Sequence, residues 1–129
     1  ATGIAFHLRD DELGVFGAPA RTGKPAGDDL REGKRTVLLA LAWQRCDADG
    51  RALLGSVLAN AQADADEIAA AAALIEDCGA RAAHEERIDD HAERAPRALE
   101  ALAAASPGVS ASALADLASV ISLLTDRRA

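Results

Sequence analysis

The sequence predicts an all-α protein, and three observations carry that reading. Alanine, the strongest intrinsic helix former, comes in long stretches such as Ala69–Ala73, while the β-branched and aromatic residues that suit strands are sparse. Apolar residues recur at helical spacing in successive segments. Glycine and proline stand where those segments stop, and Asp, Ser or Thr stand where they begin.

The 129 residues have room for one domain, expected as a single helical region over 1–129 with a motif-bearing part, 1–36, and supporting helices, 37–129. Half of the residues are apolar, yet only Phe6, Phe16 and Trp43 are aromatic, so the core must be built from small and branched aliphatic side chains. Leu8, Leu13, Val15 and Phe16 extend an apolar helix from the N-terminus until Gly17 and Pro19 stop it. Residues 17–35 read as a loop. Thr36 caps a helix through Cys46 whose run Val37–Trp43 is apolar on most sides and therefore central. Asp47–Gly50 reads as a turn and Arg51–Asn60 as a short helix. Asp64 with Glu67 makes a capping box for a helix that ends at Gly79. A helical pattern then runs from Arg81 through Leu102, with a kink or break expected at Pro96, which removes a donor and clashes with the preceding turn. Ser106-Pro107-Gly108 ends it. Ser110 caps a last helix with Leu114, Leu117, Ile121 and Leu124 on one face. There is no internal repeat and no disordered tract.

The net charge of −7 argues against nucleic acid or an anionic membrane as partner, since both require a cationic surface. Within that acidic balance the segment from Arg21 to Arg35 holds five of the fourteen basic residues, Arg21, Lys24, Arg31, Lys34 and Arg35. Positive charge therefore gathers just after the adjacent carboxylates Asp10 and Asp11. Cys46 and Cys78 have no CxxC spacing and no secretory segment accompanies them, so both are expected as buried small hydrophobes in a reducing cytoplasm. The longest apolar run, Ile68–Ile75, falls well short of the ~20 residues of a membrane span. Methionine is absent, and Ala1–Phe6 reads as the middle of an apolar helix without a cap, so the chain is expected to begin inside a larger protein.

The chemistry concentrates at the N-terminal end. Adjacent helical residues point about 100° apart, so Asp10 and Asp11 cannot both aim squarely at one ion; one is expected as direct ligand and the other as support. Magnesium suits such a pair because it takes hard oxygen ligands and joins one or two carboxylates to substrate phosphates. Lys24 and Lys34 would neutralise the remaining charge of a diphosphate and make it a better leaving group. An Asp pair alone is more often a solvated helix face. A nucleotide-binding P-loop is excluded, because five residues separate Gly17 from Gly23 where four are required, and Pro25 stands where Ser or Thr should. Asp47-Ala48-Asp49-Gly50 begins like a calcium loop, but Leu58 occupies its twelfth position. Glu85, Glu86, Asp89 and Asp90 read as a solvated face neutralised by Arg81 and Arg87. His84 and His91 lie roughly 10 Å apart along a helix, too far for one metal ion.

Taken in order and spacing, Phe6-His7-Leu8-Arg9-Asp10-Asp11, Thr22-Gly23-Lys24, Asp29 and Gly33-Lys34-Arg35-Thr36 resemble the second aspartate-rich region of the trans-isoprenyl diphosphate synthases, the polyprenyl synthetase family of farnesyl, geranylgeranyl and longer-chain synthases. The resemblance covers Ala5–Thr36, and the helices beyond are compatible with the C-terminal part of that isoprenoid-synthase bundle. It implies that Asp10 and Asp11 bind the magnesium bridging to an allylic diphosphate, and that Lys24 and Lys34 contact that diphosphate and assist its ionisation to an allylic cation. It also implies that Phe6 lines the isoprenoid cavity and that Asp29 supports the loop. Two positions depart from the family pattern. The third aspartate, four residues after the first, is Gly14, as in some bacterial geranylgeranyl-type synthases, so one carboxylate of the face is expected to be missing. The usual glutamine after Phe6 is His7, four residues before Asp11, and is read as orienting Asp11 rather than as polar filler.

The reading that follows is the C-terminal portion of a cytoplasmic prenyltransferase joining isopentenyl diphosphate to an allylic diphosphate, homodimeric when complete and inactive as this chain alone. The first aspartate-rich motif and the arginines for the second substrate are not found in residues 37–129. A non-catalytic, synthase-like subunit that modulates a complete synthase is the alternative. A class I terpene cyclase ranks lower, because no Asn/Ser/Glu ligand set replaces the Asp pair.

Overall fold

The computed structural model describes residues 2–18, 23, 25–106, 108 and 110–125, with the backbone alone for 124 and 125. Among them there are seven helices and no strand: α1 (Thr2–Phe16), α2 (Asp28–Arg31), α3 (Val37–Arg45), α4 (Ala48–Val57), α5 (Ala65–Asp77), α6 (Ala80–Ala105) and α7 (Ala111–Thr125). The all-α expectation holds. None of these helices is long and apolar enough to cross a membrane.

The helix starts follow the side chains that cap them. Thr36 Oγ1 accepts from the Leu39 amide at 3.2 Å and opens α3, and Ser110 Oγ accepts from Ala113 at 3.1 Å to open α7. The capping box of α5 is complete: Asp64 Oδ1 accepts from the Glu67 amide and Glu67 Oε2 from the Asp64 amide, both at 2.9 Å. Each bond satisfies one of the donors that a helix N-terminus leaves without an intrahelical partner. Three expectations change. Asp47–Gly50 is the start of α4 rather than a turn, because Asp47 Oδ1 accepts from the Gly50 amide at 2.9 Å and caps the helix. The segment 17–35 is not all loop: it contains the single turn α2. Of the kink or break expected at Pro96, the break does not occur: helix α6 runs through that residue. Pro96 is exposed, and its neighbours continue the hydrogen bonding on both sides, so the lost donor does not end a helix of 26 residues.

Two compact units are present, one from Asp10 to Glu85 and the other from α1 up to Arg9 with α6 from Glu86 onward and α7. In the first, α3, α4 and α5 pack on one another around Leu30, Leu38, Leu54, Val57, Ala71 and Ile75, all 1% exposed or less. Val15 and Phe16 of α1 join this core. Cys46 is buried within it, where burial and then the Cys78 thiol push its own thiol above the ordinary range. Cys78 is only half-buried, short of the full burial expected. In the second unit α6 and α7 line an apolar groove with Leu99, Leu102, Leu117, Val120 and Ile121.

One interaction in the first unit has no counterpart in the sequence pattern. Glu12 is fully buried on α1, and its Oε1 lies 3.2 Å from Arg81 Nε on α6. The same guanidinium reaches Glu76 Oε1 at 3.3 Å and Glu85 Oε1 at 3.8 Å, and its carbon lies 4.3 Å from the centre of the Phe16 ring. A buried carboxylate needs such a partner, and a planar guanidinium can bind it while stacking on an aromatic face. Glu86, Asp89 and Asp90 are exposed, as a solvated face requires, whereas His84 is buried as a packing residue.

Two stability predictions follow from these contacts. Replacing Asp64→Ala should lower unfolding free energy by about 1 kcal/mol in urea titrations, the usual cost of losing an N-cap. Arg81→Met should cost about 2 kcal/mol, less than the roughly 3–5 kcal/mol of a fully buried pair because Arg81 retains access to water. A denaturation midpoint unchanged by Arg81→Met would show that the pair does not hold Glu12.

Candidate functional site

The site is assembled by α1 and by the loop that carries α2. Leu13, Val15 and Phe16 turn inward on α1, and Asp10 and Asp11 fall on the part of the helix facing the loop. The loop is anchored at several backbone points. Leu30 is wholly buried, and its carbonyl accepts from the amides of Gly33 and Ala59, each at 3.0 Å. Arg31 donates through Nε to the Ala63 carbonyl at 3.1 Å and through Nη1 to the Ala26 carbonyl at 3.0 Å. Gly33 stands at φ 66°, and a Cβ there would come within 2.7 Å of the Ala59 Cβ, so both backbone conformation and space require glycine. This tight return directs Lys34 back toward α1.

Lys34 Nζ lies 3.0 Å from Asp29 Oδ2, 3.0 Å from Asp11 Oδ1 and 4.0 Å from Asp10 Oδ2. The Lys34 amide also donates to the Asp29 carbonyl at 3.0 Å, so main chain and side chain bind the same partner. Exposure separates the three carboxylates: the Asp29 side chain is 7% exposed, that of Asp11 17% and that of Asp10 58%. Asp11 and Asp29 are thus committed to the ammonium, while Asp10 presents its carboxylate to solvent. Burial works against the charge on Lys34, but the bonds to Asp29 and Asp11 outweigh it and hold the ammonium above its ordinary pKa of 10.5.

The structure therefore brings together four of the residues singled out from the sequence: Asp10, Asp11, Asp29 and Lys34. Lys24 lies outside the described residues. Phe6 is half-buried and His7 exposed, their rings edge to face with centroids 5.8 Å apart. On the Asp11 carboxylate the group seen is Lys34, at 3.0 Å. Sequence reasoning missed Glu12 and its partner Arg81, 69 residues away. A carboxylate directly after an Asp pair reads as more solvated charge, and only its phase on α1 shows that it points inward. Nor is there any sign in the sequence that the Asp29 carboxylate packs directly against Gly14.

Three carboxylates and one ammonium leave a formal charge of −2 at this site. Such a site favours a divalent cation and repels a bare anion. Among the described residues no three His, Cys, Asp or Glu side chains are arranged to hold a metal ion by themselves. An exposed carboxylate beside a committed one fits magnesium, which commonly takes one or two protein carboxylates and fills its remaining positions with water and phosphate oxygens.

Known proteins resemble this chain in sequence and in fold. The profile of the polyprenyl synthetase family matches residues 1–75. The geranylfarnesyl diphosphate synthase of Aeropyrum pernix is 42% identical over 93 residues, which is 72% of this chain and 28% of that enzyme. The (2E,6E)-farnesyl diphosphate synthase of Mycobacterium tuberculosis is 41% identical over 80 residues, 60% of this chain and 22% of that enzyme. Among solved structures, the geranylgeranyl pyrophosphate synthase of Corynebacterium glutamicum, complexed with isoprenyl diphosphate and magnesium, superposes with a TM-score of 0.83 at 41% identity. That match covers 98% of this chain and 35% of the other. The polyprenyl synthetase of Streptomyces coelicolor gives a TM-score of 0.73 at 30% identity, over 97% and 36% of the two chains. The chain thus spans only about a quarter to a third of the proteins it matches, and the family profile over residues 1–75 together with these relatives shows that it belongs to the polyprenyl synthetase family.

Proposed function

We propose that this chain supplies one wall of the allylic diphosphate site of a trans-prenyltransferase, which joins isopentenyl diphosphate to an allylic prenyl diphosphate to give geranylgeranyl or longer products. The observation that carries the proposal is the convergence of Asp10, Asp11 and Asp29 on Lys34. In this reading Asp10, the exposed carboxylate, is the magnesium ligand, and Asp11 is its support, committed to Lys34 at 3.0 Å. Lys34, 40% exposed, keeps part of its ammonium open to a diphosphate oxygen while the carboxylates fix its position. Lys24 would add the second cation. Phe6 would meet the hydrocarbon part of the substrate, one helical turn before Asp10.

Magnesium, when bound, would offset the charge that accumulates on the departing diphosphate. The chain's own contribution is binding and orientation. Lys34 donates hydrogen bonds toward the leaving oxygen atoms, and the surplus of carboxylates over cations favours a diphosphate that arrives with its metal ion. The solved Corynebacterium glutamicum relative contains both isoprenyl diphosphate and magnesium, which supports this pairing. On this reading the remaining metal ligands and the isopentenyl diphosphate site would be supplied by the rest of a complete synthase. The reading also expects a homodimer in the cytoplasm.

The test is a chimera in which this chain replaces the matching segment of the Corynebacterium glutamicum synthase, assayed with isopentenyl and farnesyl diphosphates. It should form longer prenyl diphosphates, and Asp10→Asn or Lys34→Ala should each lower kcat/KM by about 100-fold. A folded chimera without product would overturn the proposal. A second prediction concerns pH. Because the folded state raises the pKa of Lys34, its ion pairs stabilise the fold fully below 10.5 and lose that contribution only as pH climbs through the higher folded-state value. The stability difference between this chain and Lys34→Met should stay flat from about pH 7 to about pH 10 and narrow above it, as followed by urea unfolding.

A further inference from the structure

Gly14 occupies the place where the family pattern puts a third carboxylate. A Cβ at position 14 would fall on the Asp29 carboxylate, with Oδ1 at 2.8 Å and Oδ2 and Cγ closer still. The helix is bare at that point because the loop fills it. The carboxylate that fills it is 7% exposed and lies 3.0 Å from Lys34 Nζ, on the same ammonium as Asp11. Asp29 also fixes the backbone of Lys34 through its carbonyl. A carboxylate is thus delivered to the site from α2 rather than from α1.

We propose that Gly14 is the seat of Asp29, and that Asp29, so seated, is the positioning residue that holds Lys34 against Asp11. The absence of a side chain at position 14 of α1 then makes room for the Asp29 carboxylate. Its importance for diphosphate chemistry rests on the function proposed above, whereas the seat itself does not. The position is specific. Gly3, also on α1, has nothing within 4 Å of where its Cβ would stand, so replacing it by alanine removes only a poor helix former. At position 14 the same gain in helix propensity comes with the eviction of Asp29.

The chain has only two lysines, so Lys24→Arg leaves Lys34 as the single ammonium to observe by nitrogen-15 NMR. Within that background the exchange of the Lys34 ammonium protons with water should quicken about fivefold or more in Gly14→Ala and in Asp29→Ala, the scale expected for one lost hydrogen bond. Gly3→Ala should leave the exchange unchanged. Thermal melts provide the steric half of the test. Gly14→Ala should lower Tm where Gly3→Ala does not, and adding Asp29→Ala to Gly14→Ala should recover part of that drop without slowing the exchange. Unchanged Lys34 exchange in folded Gly14→Ala or Asp29→Ala would overturn the proposal. If Gly14→Ala does not fold, Asp29→Ala alone decides. An inactive chimera with altered Lys34 exchange would defeat the prenyltransferase reading while leaving the seat intact.

Discussion

Asp11 reaches Lys34 from a helix and Asp29 reaches it from a loop, both at 3.0 Å, and this shared ammonium connects the two elements chemically. Without a cation between them, carboxylates brought this close would repel one another, and the loop would have no reason to settle against α1. With it, the loop can be tight and the carboxylates can be fixed in advance. The unequal exposure of the three acids follows from the same geometry: two are tied to the lysine, and Asp10, at 4.0 Å and largely in solvent, is left to act outward.

The other side of α1 is held by a second charge pair of opposite arrangement. There the acid, Glu12, is wholly buried and the base, Arg81, is partly open, its guanidinium shared with Glu76 and Glu85 and laid over Phe16. Near the surface, lysine serves as a compact charge that solvent can still approach. In the interior, the planar fork of arginine serves better, because it can satisfy a buried carboxylate and cover an aromatic ring together. The two pairs act on residues within one turn of each other, so the rotation of α1 about its axis is set from both faces.

Much of this was legible in the residues. Thr36, Asp64 with Glu67, and Ser110 announce their helices because an N-cap is a local matter, decided within four residues. The grouping of Asp10, Asp11, Asp29 and Lys34 was legible because opposite charges set this close along the chain attract one another once the loop returns. What was not legible depends on contacts between distant segments or on a choice between two local options. Asp47 to Gly50 supports either a turn or a cap, and it became a cap when Leu54 and Val57 found a core to enter. Pro96 ought to disturb a helix, but the 26-residue α6 continues on both sides of it. Glu12 and Arg81 are 69 residues apart, and Gly14 gains its meaning only when Asp29 is seen against it.

The loop's return also links two residues that no chemistry requires to be linked. Gly33 at φ 66° faces Ala59 at φ 57°, and the Ala59 amide holds the Leu30 carbonyl. Both sit in left-handed backbone, which an L side chain occupies at a cost of roughly 1–2 kcal/mol, and a side chain at 33 has no room while the Ala59 methyl remains. Over evolutionary time position 33 should therefore follow position 59: a glycine at 59 loosens the constraint on 33. Covariation between this loop and the end of a distant helix would then record steric accommodation rather than any shared part in the chemistry.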